Sequence, residues 1–351
     1  STQAKTLFPY TTLFRSPTIT WETNDQTDLG LEAQLLDNKL SFSVDYYKKR
    51  TSGILLALPL PVVTGFTSST QNAGIIDNKG WEFTLGFKNN QHKFQYAING
   101  NLAINNNMVI DLKGAGPFIN NSYELDPRYI VKVGLPFNAH WGYKTDGYFQ
   151  NAADVASYPS IAPGTKPGDV KFVDLNKDGK ITADDWAMIG NPFPKYTFGL
   201  SSDFSYKNFS LNFLLQGAAQ VDTRLSGGIT EIGIAEAFTH KMVANNYWTP
   251  ERPNAKFPLP RKSDFRNVGT SDRLIIDGSY LRLKNVQLMY SIPASICKKI
   301  GISAARVYVS GTNLFTISKL NEWGLDPEAD SGRATYYPQT SLYTYGLNIN
   351  F

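Results

Sequence analysis

The chain has 351 residues and a net charge of +4; aromatic residues make up 13% of it and charged residues only 18%. Soluble domains average about 25% charged residues and disordered chains are poor in aromatic residues, so this composition excludes disorder and is unusual for a soluble protein. The small net charge does not favour nucleic-acid binding, the single cysteine (Cys297) excludes a disulfide framework, and no apolar run is long enough for a membrane-spanning helix.

The first residues differ in pattern from the rest of the chain. Thr6–Ser16 reads TLFPYTTLFRS and shares neither periodicity nor composition with the sequence after it. It resembles the translation of a sequencing-adapter remnant, and a genuine loop or edge strand is the alternative. We therefore expect residues 1–16 to be a non-native leader and residues 17–351 to be the C-terminal part of a longer protein.

From Asp25 onward, apolar and polar residues alternate with a period of two, which is typical of strands with two different faces. The longest segments, such as Tyr196–Tyr206, reach the length of about nine to eleven residues that a membrane-spanning strand needs. A helical segment is predicted only at Ile229–Asn246, inside a loop. The predicted strands are centred on residues 29–35, 40–46, 81–87, 94–98, 196–206, 209–215, 280–290, 306–315 and 345–351.

The predicted connections alternate in length. Short ones lie at Asp37–Lys39, Asn89–His92 and Lys207–Asn208, with a moderate one at Pro293–Ala304. Long ones occupy Thr51–Ile75, Asn105–Phe193, Asp222–Arg273 and Ser318–Ser341. Short turns on one side and long loops on the other are typical of outer-membrane barrels, in which the long loops are extracellular.

This alternation gives the predicted fold: an all-β, antiparallel transmembrane β-barrel of which the chain supplies about nine strands. Trp141–Phe149 also looks like a strand, but counting it as a spanning strand would break the alternation, so we place it in an extracellular loop. Aromatic residues gather near the predicted strand ends, as in the girdles at membrane interfaces. A soluble sandwich is the alternative, although it does not explain this bias to the ends.

Residues 174–185 match the spacing of a twelve-residue calcium-binding loop within the longer segment 169–190. Asp185 takes the last position, where a longer bidentate Glu is usual, which suggests weaker binding or a tighter loop. We predict a bound calcium ion that rigidifies the loop, and an Asx-rich turn without metal is the alternative. The predicted ligands are the side chains of Asp174, Asn176, Asp178 and Asp185 and the carbonyl of Lys180.

Catalytic motifs are poor, and the chain is not predicted to be an enzyme. The three histidines are far apart, and no zinc-protease, serine-hydrolase or phosphate-loop motif occurs. A cluster of aromatic residues surrounds Asp146 and could stack on sugars or flank a ligand path, although packing within the loop is the alternative. Its members are Trp141, Tyr143, Tyr148 and Phe149.

A series of short motifs follows Pro17 along the chain. They are Thr20-Trp21-Glu22 leading into Leu29-Gly30-Leu31, Val44-Asp45-Tyr46-Tyr47-Lys48-Lys49, Tyr143–Gln150, Pro167–Ile181, Ile189–Pro194, Arg306–Phe315 and the closing Tyr345–Phe351. As an ordered set that covers nearly everything after Pro17, they resemble the SusC/RagA-type TonB-dependent outer-membrane transporters of Bacteroidetes.

The resemblance implies a 22-stranded barrel with an N-terminal plug, located in the cell outer membrane. It also implies a SusD-like surface lipoprotein that covers the extracellular mouth, glycan oligomers or peptides as cargo, and energy supplied through TonB. The last strand resembles the signal read by the outer-membrane assembly machinery, because its apolar face and unpaired edge suit capture by β-augmentation. The residues of this signal are Tyr345, Leu347, Ile349 and Phe351.

The chain departs from the family in having no plug and no TonB-contacting segment, so TonB would act only through the missing plug. About nine strands cannot close a 22-stranded barrel, and an open edge in lipid leaves backbone groups unpaired. We therefore expect these residues alone not to transport. Two alternatives stay open: a secreted β-sandwich with a calcium loop that binds carbohydrate, and a passive porin.

Overall fold

The computed structural model describes residues 19–59, 68–120, 129–227, 230, 232, 241–262, 264–329, 337 and 339–351. The predicted leader lies outside the described residues, as does much of the predicted helical segment 229–246. Within that segment, Lys241–Ala244 is helical. Among the described residues, no helix is both long and apolar enough to cross a membrane.

Within the described residues, nine long strands form one antiparallel sheet, here called the wall, in which neighbours in sequence are neighbours in space. The prediction of an all-β fold with about nine long antiparallel strands is therefore confirmed, and β1 and β9 form the two edges. The strands are β1 (Thr23–Leu35), β2 (Leu40–Pro59), β3 (Ser68–Asn89), β4 (Phe94–Asp111), β5 (Tyr196–Tyr206), β6 (Phe209–Ala219), β7 (Tyr280–Ser291), β8 (Ala304–Ser318) and β9 (Leu342–Asn350).

The predicted long connection Thr51–Ile75 is wrong for most of its length. β2 and β3 continue as a paired ribbon to Pro59 and from Ser68, with register shifts beside Ile54. The sequence did not indicate this extension because strict alternation fails there. Beyond the wall, the ribbon packs against other residues of the protein instead of separating an apolar from a polar environment. Ile54 and Leu56 pack against a buried cluster that includes Leu112 and Val131.

The register of the wall separates its side chains into two faces. Cross-strand rows on one face are apolar, for example Val44, Phe83 and Leu102. These apolar side chains are largely exposed, since no part of the described chain covers them. Rows on the other face are polar, and one of them runs along the described strands through Asp203, Asn212, Gln287, Ser310 and Thr344.

Two of the short connections of the wall are tight turns that use left-handed backbone. Leu36, Asp37 and Asn38 have φ of 53°, 52° and 62°, and Lys207 has φ of 53°. Aromatic rings cluster at this end of the wall, on the apolar face, as predicted. Phe94 stacks on Phe204 with ring centroids 6.0 Å apart.

At the opposite end, the long connections form short strands that do not join the wall. One small sheet contains Phe118–Asn120, Tyr129–Val131, Ala139–Gly142 and Ala187–Gly190, and two strand pairs join Thr145–Tyr148 with Val170–Phe172 and Asp222–Arg224 with Ile275–Asp277. The segment Trp141–Phe149 thus lies in a loop, where the alternation placed it. We call this assembly of long connections the loop unit.

The buried apolar clusters of the described chain belong to the loop unit and to the strand ends next to it. One is centred on Leu225, Val243 and Phe257, and it also includes Leu320 and Trp323 from the connection between β8 and β9. A second contains aromatic residues of the connection between β4 and β5. The loop unit therefore has a water-excluding core of its own, which positions the polar groups described next.

Candidate functional site

The predicted calcium loop is closed by its own hydrogen bonds. The backbone N–H of Gly179 donates to Asp174 over 2.9 Å, that of Asp178 donates to Asn176 over 2.9 Å, and that of Lys180 donates to Asp178 over 2.8 Å. Lys177 and Gly179 adopt left-handed backbone, with φ of 60° and 82°. The predicted ligands at the first, third and fifth positions therefore surround one tight turn.

Asp185, the predicted ligand at the last position, is fully buried. Its carboxylate accepts the backbone N–H groups of Leu175 and Thr182, each over 2.8 Å, so it joins the two ends of the loop. Thr182 and Asp185 also form a capping box for the 3₁₀ turn Ala183–Asp185. Within the described ranges, no group of three His, Cys, Asp or Glu residues is placed to hold a metal, so calcium binding stays a prediction.

The predicted aromatic cluster consists mostly of buried rings. Tyr143 and Tyr148 are 6% and 8% exposed, and Phe149 is 1% exposed. Tyr143 packs on Phe172 with centroids 4.8 Å apart. The structure therefore gives these three residues the packing role that was the alternative to ligand stacking. Trp141 keeps a partly exposed ring, with Lys132 Nζ lying 5.6 Å from its centroid.

A charged cluster that the sequence analysis missed attaches the last long connection to the wall. Arg282 of β7 is 1% exposed and forms ion pairs with Glu328 and, over 2.6 Å, with Asp326. Its Nε also donates to Thr316 of β8 over 2.7 Å, and Lys284 pairs with Glu328 over 3.0 Å. An arginine among the polar-face positions of β7 was the available signal, but its two carboxylate partners lie more than 40 residues away in sequence.

A second missed cluster joins two long connections to each other. Asp169, 1% exposed, accepts from Arg261 Nε over 2.6 Å and from Asn267 Nδ2 over 3.0 Å. Asn267 in turn accepts the backbone N–H of Val170 over 2.9 Å. The connection between β4 and β5 is thereby fixed to the connection between β6 and β7.

The buried residue His140 makes the loop unit sensitive to acid. Its Nε2 lies 3.2 Å from the carbonyl oxygen of Asp222, and because a carbonyl only accepts, Nε2 carries the proton. Burial lowers the pKa of His140 to about 4. The unfolded histidine, with a pKa near 6.5, binds a proton below that pH that the folded one does not, so stability falls as the pH drops from about 6.5 to 4.

We expect this loss to be on the order of 3 kcal/mol at pH 4 and to be absent in His140→Gln, which keeps a donor that does not titrate. The measurement is denaturant unfolding of the loop unit, followed by the fluorescence of Trp141 and Trp186 at several pH values. His92→Gln, which changes an exposed histidine in a turn, is the control and should keep the wild-type slope. Equal slopes in all three proteins would contradict the role of His140.

The architecture is now clear: a wall of nine two-faced strands, with short turns at one end and a packed loop unit at the other. A family model described as TonB dependent receptor-like, beta-barrel matches residues 3–314. This chain belongs to that family. The wall of this TonB-dependent receptor-like β-barrel is therefore membrane-spanning, its location is the outer membrane, and its apolar face contacts lipid.

Relatives support the SusC/RagA type of this β-barrel. TonB-dependent receptor P3 of Formosa agariphila is 33% identical over 357 residues, covering 96% of this chain and 35% of that receptor. TonB-dependent receptor SusC of Bacteroides thetaiotaomicron is 28% identical and covers 94% of this chain and 32% of that receptor. A structure of the RagAB peptide transporter matches with a TM-score of 0.75 and 25% identity, covering 95% of this chain and 36% of that chain.

The TonB-dependent receptor-like β-barrel described here thus spans about a third of the length of these relatives. The resemblance noted from the motifs is confirmed, and so is the partial-barrel fold. The secreted β-sandwich finds no support, because a soluble sandwich would not match these receptors over nearly its whole length.

Proposed function

We propose that this chain is the C-terminal part of the barrel wall and loop unit of a TonB-dependent importer of glycan oligomers or peptides. The observation that carries the proposal is the nine-stranded wall, whose apolar face suits lipid and whose polar face suits a water-filled path. The match to the RagAB peptide transporter supports import as the activity. Energy then comes through TonB, acting on a plug that precedes this part of the barrel.

The loop unit is the part of the chain that meets cargo and partner first. Its packed core and the Asp169–Arg261 and Arg282–Glu328 ion pairs hold the connections in place at the mouth of the wall. A surface of this kind suits a SusD-like lipoprotein that closes over the mouth. Of the four predicted aromatic residues, Trp141 is the one we propose to contact cargo, since its ring is partly exposed.

The test is uptake by cells that lack their own copy of the gene and carry the full-length gene on a plasmid. We expect uptake of glycan oligomers or of peptides that disappears when either TonB or the neighbouring SusD-like gene is deleted. Uptake that persists without TonB would instead indicate the passive porin. Surface labelling confirms equal amounts of protein in each strain.

The last strand is proposed to be the signal for the outer-membrane assembly machinery. β9 pairs only with β8, so its outer edge is free within the described chain, and Tyr345, Leu347 and Ile349 lie exposed on one face. We expect removal of Phe351 to lower the amount of inserted protein severalfold, measured by heat-modifiable mobility in outer-membrane fractions. Phe351→Tyr, which keeps a terminal aromatic ring, is the control, and equal insertion of the truncated and the control protein would contradict this role.

Calcium is proposed as a structural ion of the loop at residues 174–185. We expect millimolar calcium to raise the unfolding temperature of the loop unit in the wild type and to have no effect in Asp178→Ala, which loses one predicted ligand. Asp146→Ala removes a carboxylate outside the loop and should respond like the wild type. An identical response of Asp178→Ala and the wild type would refute binding at this loop.

A further inference from the structure

A polar cavity of about 430 Å³ opens where the loop unit meets the wall. It lies between the start of β5, the end of β6 and the start of β7. Among the described residues, no aromatic ring lines it, so this part of the chain offers no stacking platform there for a sugar ring. The lining consists of Asn191, Lys195, Gln220, Asp222, Asp277 and Ser279.

Two of the lining carboxylates face each other. Asp222 and Asp277 are direct cross-strand partners in the pair Asp222–Arg224 with Ile275–Asp277. Like charges directly opposite one another are destabilising in an antiparallel pair. Burial and the neighbouring Asp277 charge raise the pKa of Asp222, which is the sign of a negative charge in an unfavourable place. The arrangement therefore places two carboxylates side by side at the cavity, with Asp222 in the less favourable position.

The protein compensates the charge of Asp277 better than that of Asp222, because hydrogen bonds from Ser279 and the Lys319 ammonium lower the pKa of Asp277. Asp222 accepts the backbone N–H of Asn191 over 2.8 Å, and among the described residues no cationic side chain forms an ion pair with it. Asp277 pairs with Lys319 over 3.2 Å, but the Lys319 side chain is 71% exposed. Such a surface pair contributes little, so Lys319 can move aside at small cost.

We propose that this cavity binds a positively charged group of peptide cargo, an ammonium or guanidinium held between Asp222 and Asp277. Lys195 lines the same cavity and can donate to a carbonyl or carboxylate of the same ligand. A peptide with a basic side chain offers both groups, whereas a neutral glycan offers neither charge. The inference rests on the proposed import function and narrows its cargo class.

The experiment uses the full-length protein purified from outer membranes in detergent and measures binding by calorimetry. The probe is acetyl-Ala-Lys-Ala-amide, and the matched probe contains norleucine, which has a similar chain without the charge. We expect the lysine peptide to bind about tenfold more tightly, and Asp222→Asn and Asp277→Asn each to remove most of this difference. Asp146→Asn, which changes a 70% exposed carboxylate outside the cavity, should bind like the wild type.

Added salt should weaken binding of the lysine peptide more than that of the norleucine peptide. Equal affinity for the two peptides, or unchanged affinity in both variants of the cavity, would overturn the inference. The outcome is separable from that for import, because binding in detergent needs neither TonB nor an ion gradient. If the lysine peptide binds but uptake does not need TonB, only the proposal of TonB-driven import is contradicted. If uptake of neutral oligosaccharides needs TonB but the lysine peptide does not bind, only the present inference is contradicted.

Discussion

Arg282→Ala is expected to release the connection between β8 and β9 from the wall and to destabilise the folded protein by about 3–5 kcal/mol. The reason is that Asp326 and Glu328 then stay partly buried without the guanidinium that pairs with both of them. Lys284 keeps its contact with Glu328, but its ammonium group is a single point charge and does not replace a planar guanidinium that pairs with two carboxylates at once. Loss of a buried partner is costly because the remaining charges were removed from water on folding.

The measurement is hydrogen exchange of residues 319–329, together with the temperature at which heat-modifiable mobility is lost. Arg306→Ala is the matched control, since Arg306 of β8 lies exposed on the polar face of the wall that also carries Arg282 of β7. The triple variant Arg282→Met with Asp326→Asn and Glu328→Gln should recover part of the loss, because no carboxylate is then left partly buried without the guanidinium. If Arg282→Ala exchanges no faster than Arg306→Ala in this segment, the cluster does not anchor the connection.

Gly80→Ala is expected to disrupt the pairing of β3 with β4 and to cost about 3 kcal/mol. A Cβ at this position would overlap the backbone carbonyl oxygen of Ile104 and press on the Tyr47 hydroxyl. Backbone atoms cannot rotate away as a side chain can, so the strands would have to separate locally. Tyr47 would then lose its hydrogen bond to Asn105, which is 3.0 Å long.

The control is Gly100→Ala in the partner strand, where the nearest side-chain atom to an added Cβ is Leu200 Cδ1 at 3.8 Å. Both variants carry the same chemical change, so propensity effects cancel between them. Folding yield into detergent and urea unfolding measured by tryptophan fluorescence should separate them. Equal stability of the two variants would show that β3 and β4 adapt without strain.

The wall could be predicted from sequence because lipid and water impose opposite demands on alternate residues. In β5, the apolar residues Phe198, Leu200 and Phe204 alternate with polar ones, and the structure pairs that strand in the register this alternation suggests. The extension of β2 and β3 beyond the wall was missed because that physical contrast ends there. Period-two alternation reports the environment of a strand, and hydrogen-bonded pairing can continue where the environment no longer alternates.

The position of the loop unit in the chain could be predicted from sequence, but its internal packing and contacts could not. The spacing of residues 174–185 predicts a calcium-binding loop, and the structure places a tight turn there, closed by hydrogen bonds to its own acidic and amide side chains. It did not indicate that Asp185 would be buried and bound to backbone N–H groups, because the packing of the loop involves residues distant in sequence, such as Trp248, which belongs to the same buried cluster as Ile181. The opposition of Asp222 and Asp277 likewise depends on pairing across a long connection, which local pattern does not encode.

The location of the apolar clusters has a thermodynamic consequence. The loop unit excludes water from its core, so its unfolding exposes apolar surface and should have a positive heat-capacity change. Its free energy of unfolding should therefore be a curved function of temperature with a maximum. The apolar face of the wall is solvated by acyl chains and leaves no such surface to water. One polypeptide therefore combines a part governed by aqueous hydration with a part governed by bilayer thickness, and warming or a change of lipid will act on the mouth and on the wall separately.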